Sequence, residues 1–224
     1  MKLISTEGRV LQLVVMEEIR PPSGIYMPDL YRKLAERYAF VADPQNFAEA
    51  IEKGAKFQHG RVITPSKTIT IGEIGIFNDG FIVDASSTDD SEFVTEDLIA
   101  WTTTTFGLKE RRTIIPRRFT SVVTIEFDGE IETAFKSMTD IMSLIESSYN
   151  QAYGDDVKIN LHRLALNADP ITVPQFRNTT FFIERRIQRP YSENRYQSGA
   201  PLRTEDHIAL LEAIERLLLH ARAI

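Results

Sequence analysis

The chain has 224 residues, a net charge of −6 and no cysteine, which excludes disulfides, thiolate metal centres and cysteine nucleophiles. With 42% hydrophobic and 26% charged residues it has the composition of a folded globular chain, long enough to bury a core without covalent staples. The acidic balance runs against broad electrostatic binding to nucleic acid.

Residues 9–18 are rich in Val and Leu and predict a first strand, ended by Pro21-Pro22-Ser23-Gly24. A helix is expected from Pro28, since proline suits the first turn, with Leu30, Leu34, Tyr38 and Val41 as its apolar stripe. Asp43-Pro44 predicts a second helix with Phe47, Ala50 and Ile51 on one face and Gly54 at its stop. Phe57, His59-Gly60 and Val62-Ile63 suggest a short hairpin, and Pro65-Ser66 is the best candidate seam.

From residue 69 to 85 the pattern is a hairpin. Ile69, Ile71, Ile74 and Ile76 lead into Asn78-Asp79-Gly80 and then Phe81-Ile82-Val83. The apolar phase slips between Ile71 and Ile74, which predicts a bulge near Gly72. The polar run 88–91 offers cap groups for a helix carrying Val94, Leu98, Trp101 and Thr105 on one face. Its β-branched run 102–105 predicts fraying, with a stop at Gly107.

Residues 119–128 alternate, with Phe119, Ser121, Val123, Ile125 and Phe127 on one face, as in a strand with one wet side. The clearest helical period follows: Ile131, Phe135, Met138, Met142, Ile145 and Tyr149, a stripe expected to bury on the sheet. Strands are predicted at 157–166 and 181–187, joined by a long connection with Pro170 and Pro174. Residues 189–203 read as a loop, and Thr204 opens a last helix striped by Ile208, Leu211, Ile214, Leu218 and Ala221. Leu217 and Leu219 widen that stripe, so more than one face should be covered.

These elements predict an α+β fold with a largely antiparallel sheet: hairpin, helix, strand, helix, hairpin, helix, preceded by an N-terminal strand and two helices. Residues 1–224 read as a single globular unit, within which 1–66 is a candidate N-terminal subdomain and 67–224 the α+β core.

No phosphate-binding glycine loop or serine nucleophile elbow occurs, and His59, His162, His207 and His220 show no zinc-helix spacing. The best catalytic candidates are Glu126 and Asp128 on one strand and His162 on another, beside Lys158, Asn160, Glu184 and Arg186. If those strands were neighbours, the carboxylates and the histidine would meet, and such a cluster suits acid–base or divalent-metal chemistry. A solvated sheet face with cross-strand ion pairs explains the same pattern. Asp156-Val157-Lys158 has the D-x-K spacing of some metal-dependent nucleases, a three-residue match that a turn also explains.

Arginine outnumbers lysine 18 to 8, and Arg185, Arg186, Arg189, Arg195 and Arg203 cluster around Tyr191 and Tyr196. Guanidinium forks bind anions bidentately, and Arg and Tyr favour protein contacts, so this loop is a candidate anion- or partner-binding patch; a loop tied down by its own ion pairs with Glu184, Glu193 or Asp206 explains the same residues. Arg111-Arg112 and Arg117-Arg118 would extend it if the fold brings them near, and Trp101 with its threonines reads as core before partner surface.

The resulting expectation is a cytoplasmic protein that acts through protein–protein contacts as a subunit of an assembly or by self-association. The first residues lack a secretory leader's apolar core, and the apolar run 10–16 is far short of the ~20 residues of a membrane span. No cofactor, no metal and no membrane partner is expected. The alternatives are a metal- or histidine-dependent hydrolase of a phosphorylated or nucleic-acid substrate, and a nucleic-acid binder using the arginine loop.

Overall fold

A computed structural model describes residues 1–42, 44, 50, 54–109, 113, 115–129, 139–154, 158–168 and 180–220. Most of the helix expected from Asp43, the positions Arg111-Arg112, Ile131, Phe135, Met138 and Asp156-Val157, and the Pro170–Pro174 connection lie outside these residues.

The described strands are β1 (Lys2–Leu13), β2 (Ala55–Ile63), β3 (Thr68–Phe77), β4 (Gly80–Ala85), β5 (Arg118–Glu126), β6 (Arg163–Asn167), β7 (Thr180–Arg185) and β8 (Arg195–Ala200). The helices are α1 (Met16–Ile19), α2 (Met27–Arg37), α3 (Thr88–Phe106), α4 (Thr139–Tyr153) and α5 (Thr204–His220). The fold class is α+β with largely antiparallel pairing. The chain divides by contact into two units, one of residues 6–121 and 201–204, the other of residues 1–5, 122–200 and 205–224.

In the first unit the strand order is β2-β3-β4-β1. The β3–β4 register shifts between Ile71 and Glu73, so the bulge falls at Gly72 as the slipped phase predicts, and Ile69, Ile71 and Ile74 all reach the core. Residues 57–63 are not a hairpin of their own. They lie in one nine-residue strand, β2, that pairs with β3 through the turn holding Pro65-Ser66. The first strand starts and stops earlier than expected, at Lys2 and Leu13, and the 16–19 stretch is a short helix.

Leu30, Leu34 and Tyr38 from α2 and Val94 and Leu98 from α3 pack with Phe57, Ile71 and Val83 of the strands. Val41 does not join its stripe, being 82% exposed. The α2 end is tied to α3 by Tyr38 Oη, which donates to Asp97 Oδ2 at 2.7 Å, and by a forked Arg37–Asp97 pair. Burial, then the Asp97 bond, pushes the Tyr38 hydroxyl well above its ordinary value.

Helix α3 does not fray at its threonines. Thr102 and Thr104 hydroxyls donate back to the Leu98 and Ala100 carbonyls, and the helix runs to Phe106 before Gly107 caps it with φ +67°. Trp101 packs against the core and stacks edge-on with Phe106 at 5.5 Å. At the other end the Ser87 side chain accepts the Asp90 N–H at 3.1 Å. Ser87→Ala should therefore cost about 1 kcal/mol in urea unfolding, the usual worth of an N-cap.

This unit contains a cavity. Met16 and Ile19 of α1, Leu34 of α2, Phe81 of β4 and Leu98 of α3 help enclose about 450 Å³. Water is a poor filler where so few polar partners line the walls.

In the second unit the order is β5-β8-β7-β6. Val123, Ile125, Phe127, Ile183, Tyr196 and Leu211 form its core, and the β5 alternation follows the expected faces. Strand β8 falls inside the segment read as a loop, a correction that moves Arg195 onto a strand beside β7. Strand β6 is shorter than the 157–166 expected. Helix α5 begins at Thr204 as predicted and buries Leu211, whereas Leu217 is 73% exposed.

Candidate functional site

The catalytic candidates part company. Strand order puts two strands between β5 and β6, so at ~4.8 Å per neighbour the strand of Glu126 and the strand following His162 stand on the order of 14 Å apart. Each candidate also has its own partner. Glu126 Oε2 faces Arg195 at 3.4 Å, Asp128 meets the Met1 ammonium at 2.6 Å, and His162 Nε2 sits 3.4 Å from Glu184. Asp128 further donates its N–H to Glu215 Oε1 at 2.7 Å. Among the described residues no group of three or more His, Asp or Glu side chains is placed to hold a metal.

The arginines are each engaged by neighbours within their own unit. Arg186 donates to Gln197 at 2.8 Å, Arg189 lies 3.9 Å from Glu193, and Arg195 bridges Glu126 and Glu193. Arg185 is 6% exposed and lies over the Tyr196 ring at 4.9 Å, so it serves the core of its unit. Arg203 belongs to the other unit, where it reaches Glu92 at 2.8 Å, Asp89 at 3.3 Å and the face of Phe119 at 4.1 Å. Arg117 completes that cluster through Gln12, Glu92 and Glu96. The Arg203 and Arg117 guanidiniums hold the Glu92 carboxyl below its ordinary range.

One convergence is real: Glu126, from the catalytic set, and Arg195, from the anion-binding set, share an ion pair. At this turn Glu193 Oε2, Asn194 Oδ1 and Arg195 Nε are buried without a hydrogen-bond partner among the described residues. The ion-pair distances to Glu193, 3.6 and 3.9 Å, are too long to satisfy it.

Sequence reading missed a buried serine–histidine pair. Ser198 and His207 are both fully buried, with Oγ and Nε2 2.9 Å apart. Ser198 Oγ also lies 2.6 Å from the Phe182 carbonyl, which can only accept. Its one proton is thus committed, and Nε2–H donates to Oγ. A serine so placed is a structural link and not an exposed nucleophile.

The feature that departs most from expectation is α4. Its stripe was expected to bury, but Ile145 and Tyr149 are 36% and 46% exposed, and Ile141, Leu144 and Tyr153 stand out further at 54%, 70% and 72%. Tyr149 and Tyr153 meet edge-on at 6.0 Å. Glu146, the one carboxylate among the described side chains of α4, accepts the Ile159 N–H at 2.8 Å. Scattered exposed apolar residues are ordinary on a protein surface, but here five of them share one helix. Leu166, 57% exposed on β6, adds an apolar residue on the last described strand of its unit's order.

No helix is long and apolar enough to cross a membrane among the described residues. No protein-family model matches the chain, and no curated protein matches it at a significant level.

Proposed function

We propose that this is a non-catalytic cytoplasmic protein that acts through protein contacts as a subunit of an assembly, and that its first partner is a second copy of itself bound through α4. The observation that carries the reading is the exposed Ile141, Leu144, Ile145, Tyr149 and Tyr153 surface. A two-fold contact sets one patch against the same patch, so it must be self-complementary. An aliphatic and aromatic face whose described carboxylate is already engaged meets itself without like-charge repulsion. The catalytic candidates, each held by a different partner, lend the hydrolase reading no comparable support.

Sedimentation across a wide concentration range should show reversible dimer formation. Leu144→Glu with Ile145→Glu should weaken it at least tenfold, about 1.4 kcal/mol, with an unchanged circular dichroism spectrum. A parent chain that stays monomeric at every concentration would sink the proposal.

A further inference from the structure

We propose that the cavity of the first unit is a binding site for a single-chain carboxylate amphiphile, a fatty-acid-like molecule with its chain among the apolar walls and its carboxylate at Lys109. Three observations carry this. The volume, about 450 Å³, falls in the range of small-molecule pockets, which are mostly apolar with a few placed polar groups. Lys109 is the only charged residue among the described lining, and it is exposed, so it marks the place where a polar head would meet water. No carboxylate among the described residues pairs with its ammonium, whereas the nearby Glu18 carboxylate is taken by the Thr113 N–H at 2.8 Å and hydroxyl at 2.6 Å.

The walls are held in place. Lys109 N–H donates to the Ile19 carbonyl at 2.9 Å, fixing the segment after α3 against α1. Thr102, the wall's buried hydroxyl, turns its proton to the Leu98 and Ile99 carbonyls at 2.7 and 3.0 Å. Its hydrogen-bonding capacity as a donor is thereby spent within the helix, which keeps the interior suited to hydrocarbon.

The test is calorimetric titration of the purified, delipidated chain with dodecanoate and with dodecanol. Dodecanoate should bind one per chain, and dodecanol at least tenfold more weakly. Lys109→Glu should cost dodecanoate at least tenfold while leaving dodecanol unchanged. Ile99→Trp, which fills the cavity from α3, should abolish both while keeping the parent's circular dichroism. Thr103→Trp does the same from the neighbouring position should the first variant fail to fold. No binding of either probe to the folded parent overturns the site. Undiminished binding in a folded filled variant overturns its location, and equal affinities that ignore Lys109→Glu overturn the carboxylate assignment.

Discussion

Gly8→Ala should destabilise the first unit by about 3 kcal/mol or more, a large share of a typical domain's stability. A Cβ at Gly8 would lie 2.0 Å from the Thr88 nitrogen and 2.1 Å from the Ser87 carbonyl carbon. Both are backbone atoms at the start of α3, so no side chain can swing aside to relieve the overlap. The same contact carries function for the fold: Ser91 Oγ donates to the Gly8 carbonyl at 2.7 Å, and Thr6 Oγ1 to the Ser86 carbonyl at 2.6 Å. Pushing α3 off β1 breaks these bonds and disturbs the Ser87 cap as well. Gly107→Ala is the control. A Cβ there meets nothing within 4 Å, and only its φ of +67° opposes it, so the cost should be about 1 kcal/mol. Urea unfolding followed by circular dichroism separates the two. Equal losses at both glycines would refute the close approach as the reason for Gly8.

Gly8 was not legible in the sequence, because it falls in the polar run just before the strand predicted at 9–18, and a lone glycine names no partner. What was legible came from local chemistry. The Asp79-Gly80 turn and the Gly107 stop follow from backbone conformations that few residues accept, the bulge at Gly72 from the slipped apolar phase, and the proline-led start of α2 from an N–H the first turn does not need. Strand β8 escaped for the opposite reason. It pairs with β7 and lies inside its unit's strand order, yet its six residues, Arg-Tyr-Gln-Ser-Gly-Ala, lack any β-branched or aliphatic run. Its small residues are required by neighbours: a Cβ on Gly199 would sit 2.3 Å from the Phe182 ring, and Ser198 must reach His207. Packing across strands chose them, and periodicity cannot report that.

The site fared worse than the fold for a related reason. Grouping Glu126 with His162 requires strand order, and the order β5-β8-β7-β6 depends on the strand that went unseen. The arginine cluster was read as an anion- or partner-binding loop or one tied by its own acids; Glu193 does face Arg189 and Arg195, but Glu126 for Arg195 and Glu92 for Arg203 are distant in sequence and no local pattern names them. The α4 stripe was visible as a period, but a period states which residues share a face and not what covers them. Neither the cavity beside Lys109 nor the exposure of Leu144 could be read from spacing.

Stability should also fall as the pH drops from about 6.5 to about 4, through His207. Burial holds its imidazole neutral in the fold, with a pKa lowered to about 4 against the ordinary 6.5. Between those values the unfolded chain takes up a proton that the folded chain refuses. Acid therefore favours unfolding across that window, and the loss is complete near pH 4, on the order of 3 kcal/mol. The lowered carboxyls of Asp90 and Glu92 act lower on the scale. Their contribution is present above their ordinary values near 4 and disappears as the pH falls below them. Urea midpoints at pH 7, 5.5 and 4.5 isolate the histidine, particularly beside His207→Gln. That variant should lose stability at pH 7 through the disturbed Ser198 link and the Phe181 stacking, 6.2 Å between ring centres, yet show a flatter profile down to pH 4.5. A parent and variant that lose stability in parallel over this range would show that the buried imidazole is not the group that acid attacks.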